Sequence, residues 1–215
     1  MKKLLVITIL SFLLVGFTTN IQTTAKDSHS KNDSDHSEKY AYLQSTNLIN
    51  WKENESTKEL AKKLTEDADS HNEKLYEVYN YIVKNISYDR EKLHYIKENI
   101  NGLYTPNMDQ ILKDGRGICY DYSVLFAGML RSVGIPTKLI KGYREGLDDY
   151  HSWNEVYIKE KDRWVIIDTT YDAVKTQEED KSVHKFKADE KYQKEKNDNS
   201  LLSIFNSITK MLNHG

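Results

Sequence analysis

From Val124 to Val133 the chain is apolar almost without interruption: Val124, Leu125, Phe126, Ala127, Met129, Leu130 and Val133. A helix that is apolar on nearly all sides has no face to offer water, so the rest of the chain must enclose it. Its end is clearly marked. Gly134 is placed for a left-handed C-terminal cap, and Pro136 stands just beyond. Its start carries Gly115-Arg116-Gly117-Ile118-Cys119-Tyr120-Asp121-Tyr122. Cys119 is the single cysteine of 215 residues, so it has no intramolecular disulfide partner. It falls at the first turn of a buried central helix.

The flanking sequence supplies material for both faces of that helix. Leu60, Leu64, Leu75, Val78, Tyr79 and Ile82 recur at helical spacing from Ser56 onward, with a break at 69–72. Ser56 is a candidate cap for the first of these helices. Asn85 to Asp89 reads as the exit from the second. Glu91 to Ile96 is a further amphipathic piece, and Met108, Ile111 and Leu112 predict a short helix ending before Gly115. After the central helix come three strand-like runs, 137–143, 151–159 and 163–168. The polar turn Glu160-Lys161-Asp162 joins the last two as a hairpin. No βαβ alternation is present, so the expected fold class is α+β with an antiparallel sheet.

The ends of the chain read differently. Lys2 and Lys3 precede an apolar run from Leu4 to Phe17, long enough for a secretory signal and short for a membrane span. Residues 1–25 are therefore expected to be a signal peptide, giving an extracellular or envelope-associated protein with no stable membrane span after cleavage. Residues 26–55 are assigned to a polar linker and 56–174 to the main folded domain. Residues 175–215 are assigned to a charged extension ending in an amphipathic helix (Leu201, Ile204, Phe205, Ile208, Met211, Leu212). Without Lys2 and Lys3, the 31 basic residues become 29 against 33 acidic, a net charge of −4. Such a chain lacks the basic footprint of a nucleic-acid binder. It also has no P-loop, GxGxxG, HExxH or paired CxxC, so no metal site or cofactor is expected.

A lone cysteine in an exported protein is a reactive thiol, an intermolecular disulfide partner or an inert core residue. Its context points to the first. A helix N-terminus directs unpaired N–H groups and partial positive charge at the sulfur, favouring the thiolate that acts as nucleophile. The same N–H groups suit an oxyanion. Gly115 and Gly117 allow a tight turn and leave room for substrate. Downstream lie His151, in His-Ser-Trp-Asn-Glu-Val-Tyr, and Asp168, in Trp-Val-Ile-Ile-Asp-Thr-Thr. These are the types needed for a base and for the group that orients it. Alternation places His151, Trp153, Glu155 and Tyr157 on one strand face. A two-residue loop at Glu160-Lys161 would set Trp153 opposite Asp168, with His151 diagonal to it. A loop of odd length would separate His151 and Asp168 onto opposite faces. Asp172 is an alternative to Asp168, and Asp121 either orients the start of the helix or only caps it. Trp153 and Trp164 are expected to pack around the site and shield it.

Gly-Ile-Cys119-Tyr-Asp121-Tyr, with Leu125 to Pro136 behind it, resembles the nucleophile segment of the transglutaminase-like superfamily. His151-Ser-Trp153-Asn-Glu155-Val resembles its histidine segment, and Trp164-Val-Ile-Ile-Asp168-Thr-Thr-Tyr-Asp172 its aspartate segment. The resemblance implies a papain-related core with Cys119, His151 and Asp168 as the catalytic triad and a thioester acyl-enzyme. It also implies peptide or protein substrates, cell-envelope or extracellular ones included. Tyr88, Gly117 and Trp153 are the expected oxyanion or site-shaping residues. Water, a lysine or another amine resolves the thioester in such proteins. Hydrolysis is the leading expectation here, because the sequence shows no second domain to exclude water or recruit an amine. A cross-linking transglutaminase and a catalytically silent envelope-binding module are the alternatives.

Overall fold

The computed structural model describes residues 37–99, 104–147, 150–179 and 192–194. The signal-peptide assignment, most of the linker and the amphipathic stripe at 201–212 lie outside the described residues. Among the described residues the main elements follow in the order α1 (Glu55–Leu64), α2 (His71–Asn85), β1 (Ser87–Tyr88), α3 (Arg90–Asn99), α4 (Met108–Asp114), β2 (Arg116–Gly117), α5 (Cys119–Ser132), β3 (Thr137–Arg144), β4 (His151–Ile158), β5 (Arg163–Ile167), α6 (Thr169–Glu179) and β6 (Tyr192–Lys194). The fold is α+β, as the sequence predicts.

Helix α5 is the hub. Every residue from Asp121 to Arg131 is buried. It packs against α1, α2, α4 and α6, and against β3 and β4 of an antiparallel sheet ordered β5-β4-β3-β6. Val124, Leu125, Phe126, Met129 and Leu130 meet Val78, Ile82, Met108, Val156 and Ile158 in one core. Helix α4 approaches so closely that a Cβ on Gly128 would stand 2.1 Å from the Met108 sulfur. The predicted stop is realised as a Schellman motif. The Ile135 N–H donates to Leu130 O at 2.9 Å, the Gly134 N–H to Arg131 O at 3.1 Å, and Gly134 has φ +86°.

Helix α1 is not capped by Ser56, which lies inside it; Asn54 holds the cap position and its side chain does not bond the helix. The cap comes from another helix. Asp109 accepts from Thr57 N at 2.8 Å, Thr57 Oγ1 at 2.7 Å and Ser56 N at 3.3 Å, while Asn54 Oδ1 accepts from Asp109 N at 3.1 Å. Two helix starts are thus tied together by one carboxylate and one amide. Helix α2 carries its own capping box between Ser70 and Glu73.

Two domain limits need correction. The linker assigned to 26–55 ends earlier, because residues from Tyr40 onward belong to the folded unit. Ile49 is buried, the Trp51 indole donates to Leu43 O, and Thr137 N donates to Tyr42 O at 3.2 Å. Arg131 donates to Gln44 O and twice to Thr137 O, pinning this segment to the end of α5. Burial lowers its guanidinium to about 10, partly offset by Tyr42. The apolar residues of this stretch are spaced irregularly, so no period announced them. At the other end, the described residues beyond 174 belong to the domain rather than to a separate extension. Helix α6 continues to Glu179, and β6 pairs with β3, with Gly142 opposite Lys194.

Asp109→Ala removes the shared cap without touching the central helix. It is expected to lower unfolding free energy by about 1–2 kcal/mol, read as a lower urea midpoint with unchanged m-value.

Candidate active site

Three element starts meet here. Cys119 is the first residue of α5, His151 the first of β4, and Asp168 the residue before α6. The β4–β5 pairing runs from Ile158 with Arg163 to Asn154 with Ile167, and the same register carried one residue past the strand end sets Trp153 opposite Asp168. The connection is a 3₁₀ turn over Lys159–Lys161, closed by Asp162 in the left-handed region at φ +46°. It preserves the even parity, so His151 and Asp168 come together. His151 Nε2 lies 2.8 Å from Asp168 Oδ2, with both side chains buried.

Asp168 works with both oxygens. Oδ1 accepts from Tyr171 N at 3.0 Å, an N-cap on α6, while Oδ2 holds the imidazole. The capping role and the orienting role belong to the same carboxylate. Asp172, the alternative partner, points elsewhere and accepts from the Tyr79 hydroxyl at 2.9 Å. Burial, then the Asp172 charge and hydrogen bond, push the Tyr79 phenol far above its ordinary range. It stays a donor.

With Nε2 taken, Nδ1 is the ring nitrogen left for the thiol, and Cys119 lies close enough to the imidazole to help raise its pKa. Burial would push the imidazole down. The Asp168 carboxylate, its hydrogen bond and the contact with Cys119 outweigh burial and hold His151 up at about 10. Trp153 is fully buried, its ring stacked on His151 with centroids 6.1 Å apart and planes 24° apart. It packs with Ile140 and Ile166 and backs the imidazole. Trp164 does not shield the site. It sits at the far end of the hairpin, roughly 20 Å along the strand, against Tyr42, Tyr157 and Lys138.

The start of α5 is tightly organised. Asp121 is fully buried and accepts from Ile118 N at 2.8 Å. Its Oδ2 also lies 2.7 Å from Lys92 Nζ on α3, and its Oδ1 accepts from the Tyr104 hydroxyl. Burial, then the bond to Asp121, push the Tyr104 phenol well above its ordinary range, which keeps it a donor. Asp121 also explains Gly117. A Cβ there would stand 2.6 Å from the Asp121 Cβ, so the glycine is needed for close approach rather than for turning. Gly115 does supply the turn, at φ +63°. Tyr88 is half-buried on β1, paired with Gly117, its ring packed on the core beside Arg90.

Sequence spacing gave no sign of Lys92, Tyr104 or Lys141. Lys141 is buried on β3, its ammonium 3.8 Å from the ring centroid of Tyr120, the residue after Cys119. All three reach the site from separate elements, so only the tertiary fold reveals them. Among the described residues, no cluster of three or more His, Cys, Asp or Glu is arranged to hold a metal ion.

The His151–Asp168 pair makes stability depend on pH in a stated direction. The folded pKa of His151 lies above the ordinary value of 6.5, so its stabilisation is full below about 6.5 and is lost as pH rises through about 10. Asp168→Asn removes that contribution. Urea unfolding should show a deficit of about 3 kcal/mol near pH 6, narrowing steadily towards pH 10.

Comparison with known proteins places this geometry in a wider group. Residues 58–169 match the Transglutaminase-like superfamily core, a segment that includes Cys119, His151 and Asp168. The uncharacterised Bacillus subtilis protein YebA is 31% identical over 134 residues, 54% of this chain and 17% of YebA. A candidate cysteine protease of Cytophaga hutchinsonii is 22% identical, with a TM-score of 0.48 over 61% of this chain and 41% of that one. The periplasmic domain of TgpA from Pseudomonas aeruginosa is 21% identical, with a TM-score of 0.48 over 65% and 49% of the two chains. The chain thus spans less than half the length of each of these proteins. The match over more than half of its residues, with the three motifs in order inside it, shows that the chain belongs to the transglutaminase-like superfamily.

Proposed function

We propose that this protein is an exported cysteine enzyme that cleaves or transfers acyl groups at amide bonds of peptides or proteins. The observation that carries the reading is the buried Asp168–His151 pair, with Cys119 near enough to act on the same imidazole. The thiol proton rests on His151 as an imidazolium before reaction, and the Cys119 thiolate attacks the carbonyl carbon. The tetrahedral oxyanion is stabilised by amides of the first turn of α5, where a helix leaves its N–H groups without intrahelical partners. His151 then returns the proton to the departing amine, and a thioester on Cys119 remains. Asp168 holds the ring in place and stabilises the imidazolium until it gives up its proton.

Water resolves the thioester in the leading version. Cys119 is only partly buried, which leaves its sulfur within reach of a second substrate. Cross-linking uses the same acyl-enzyme with an amine in place of water. Tyr88 and Gly117 shape the side where the carbonyl oxygen sits, and Trp153 supports the base. Export rests on Lys2, Lys3 and the apolar run from Leu4 to Phe17. No helix among the described residues is long and apolar enough to cross a membrane.

The test is mass spectrometry of a glutamine- and lysine-containing protein incubated with the enzyme and a small primary amine. Cleaved or deamidated product without amine, absent with Cys119→Ala, is the expected result. Amine adducts dependent on Cys119 would instead establish transfer to amines. Identical product patterns from the wild type and Cys119→Ala would contradict the reading. His151→Ala should lower the rate at least a hundredfold.

A further inference from the structure

The start of α5 contains an electrostatic conflict. Asp121 lies two residues after Cys119, in the first turn, and its carboxylate is fully buried. That turn is where sulfur must carry negative charge during acyl transfer. Two like charges so close disfavour one another. Yet Asp121 cannot simply be dispensed with, because it accepts the Ile118 N–H that begins the helix.

Lys92 meets this conflict from outside the helix. It reaches across from α3, sets its ammonium 2.7 Å from Asp121 Oδ2, and keeps about a quarter of its side chain exposed. The same ammonium lies 4.7 Å from the ring centroid of Tyr104, whose hydroxyl donates to the other carboxylate oxygen. Other cations near the start of α5 have other contacts among the described residues. His151 is held by Asp168, Lys141 lies over the Tyr120 ring, and Arg116 pairs with Asp89 at 3.2 Å. Among the described residues, Lys92 is the cation paired with Asp121.

We propose that Lys92 is a positioning residue for catalysis, neutralising Asp121 so that the carboxylate can cap α5 without opposing the thiolate. This rests on the acyl-transfer reading, since only a nucleophilic Cys119 needs such compensation. The helix thereby keeps its acidic cap at small electrostatic cost to the sulfur. The cation works through a partner and does not touch the reacting atoms.

The experiment follows labelling of Cys119 by iodoacetamide, a neutral reagent, between pH 5 and 10 in the full chain. Lys92→Met should label about tenfold more slowly at pH 7, as expected for an uncompensated charge worth about one pH unit. Lys92→Arg should label like the wild type. Asp121→Asn keeps an oxygen acceptor for the Ile118 N–H and removes the charge, so it should label at least as fast as the wild type. In the Asp121→Asn background, Lys92→Met should have no further effect. A Lys92→Met defect that persists there, or a tenfold slowing by Asp121→Asn alone, overturns the proposal. Asp121→Asn decides the matter even if Lys92→Met fails to fold. His151→Ala in the same assay separates the two claims. If it leaves labelling unchanged, the acyl-transfer reading falls. If it slows labelling while Lys92→Met does not, only the role of Lys92 falls.

Discussion

From Asp121 to Arg131, α5 offers water nothing, and the folded unit is arranged around that constraint. Helices cover one side and β3 and β4 the other. A helix enclosed in this way has its axis and ends fixed by packing, since cores tolerate little displacement. The Schellman motif fixes where it stops, and the Asp121–Ile118 bond fixes where it begins. Cys119, as its first residue, inherits that rigidity while remaining partly open to solvent. The start of α5 is held in place by the core packed behind it.

The same carboxylates serve helix starts and the proposed chemistry at once. Asp168 starts α6 with one oxygen and holds His151 with the other. Asp121 starts α5 while fixing the turn that carries the thiol. Asp109 does the structural half alone, capping α1 from α4. In the first two cases, loss of the side chain would disturb a helix start and the reacting geometry together. Asp172 has no such double role in view; it secures Tyr79 and hence the contact of α2 with α6. Gln177 adds to that contact by donating to Val83 O and Ile86 O, both at 2.9 Å.

Legibility in the sequence followed the range of the interactions. The central helix, its glycine stop and the hairpin parity were readable because each depends on neighbours within a few residues. The Cys119, His151 and Asp168 motifs were readable for the same reason, each carried in a short local pattern. The fold of residues 40–54 was not, because Tyr42, Ile49 and Trp51 find partners on different elements with no common period. Three-residue β6 was hidden inside a charged stretch, and two-residue β1 and β2 are too short for alternation to register. The cap of α1 was misread because its acceptor lies more than fifty residues away. Lys92 and Tyr104 belong to this class too, since α3 gives no hint in its own spacing that it faces the start of α5.

The account turns on the charge state of His151, which Asp168 holds as an imidazolium beside Cys119 in spite of burial. The most direct measurement is a nitrogen-15 NMR titration of the His151 ring in the resting enzyme between pH 5 and 11. The account predicts that both ring nitrogens stay protonated through neutral pH, with titration near pH 10. A ring that is neutral at pH 7, titrating at or below 6.5, would contradict it.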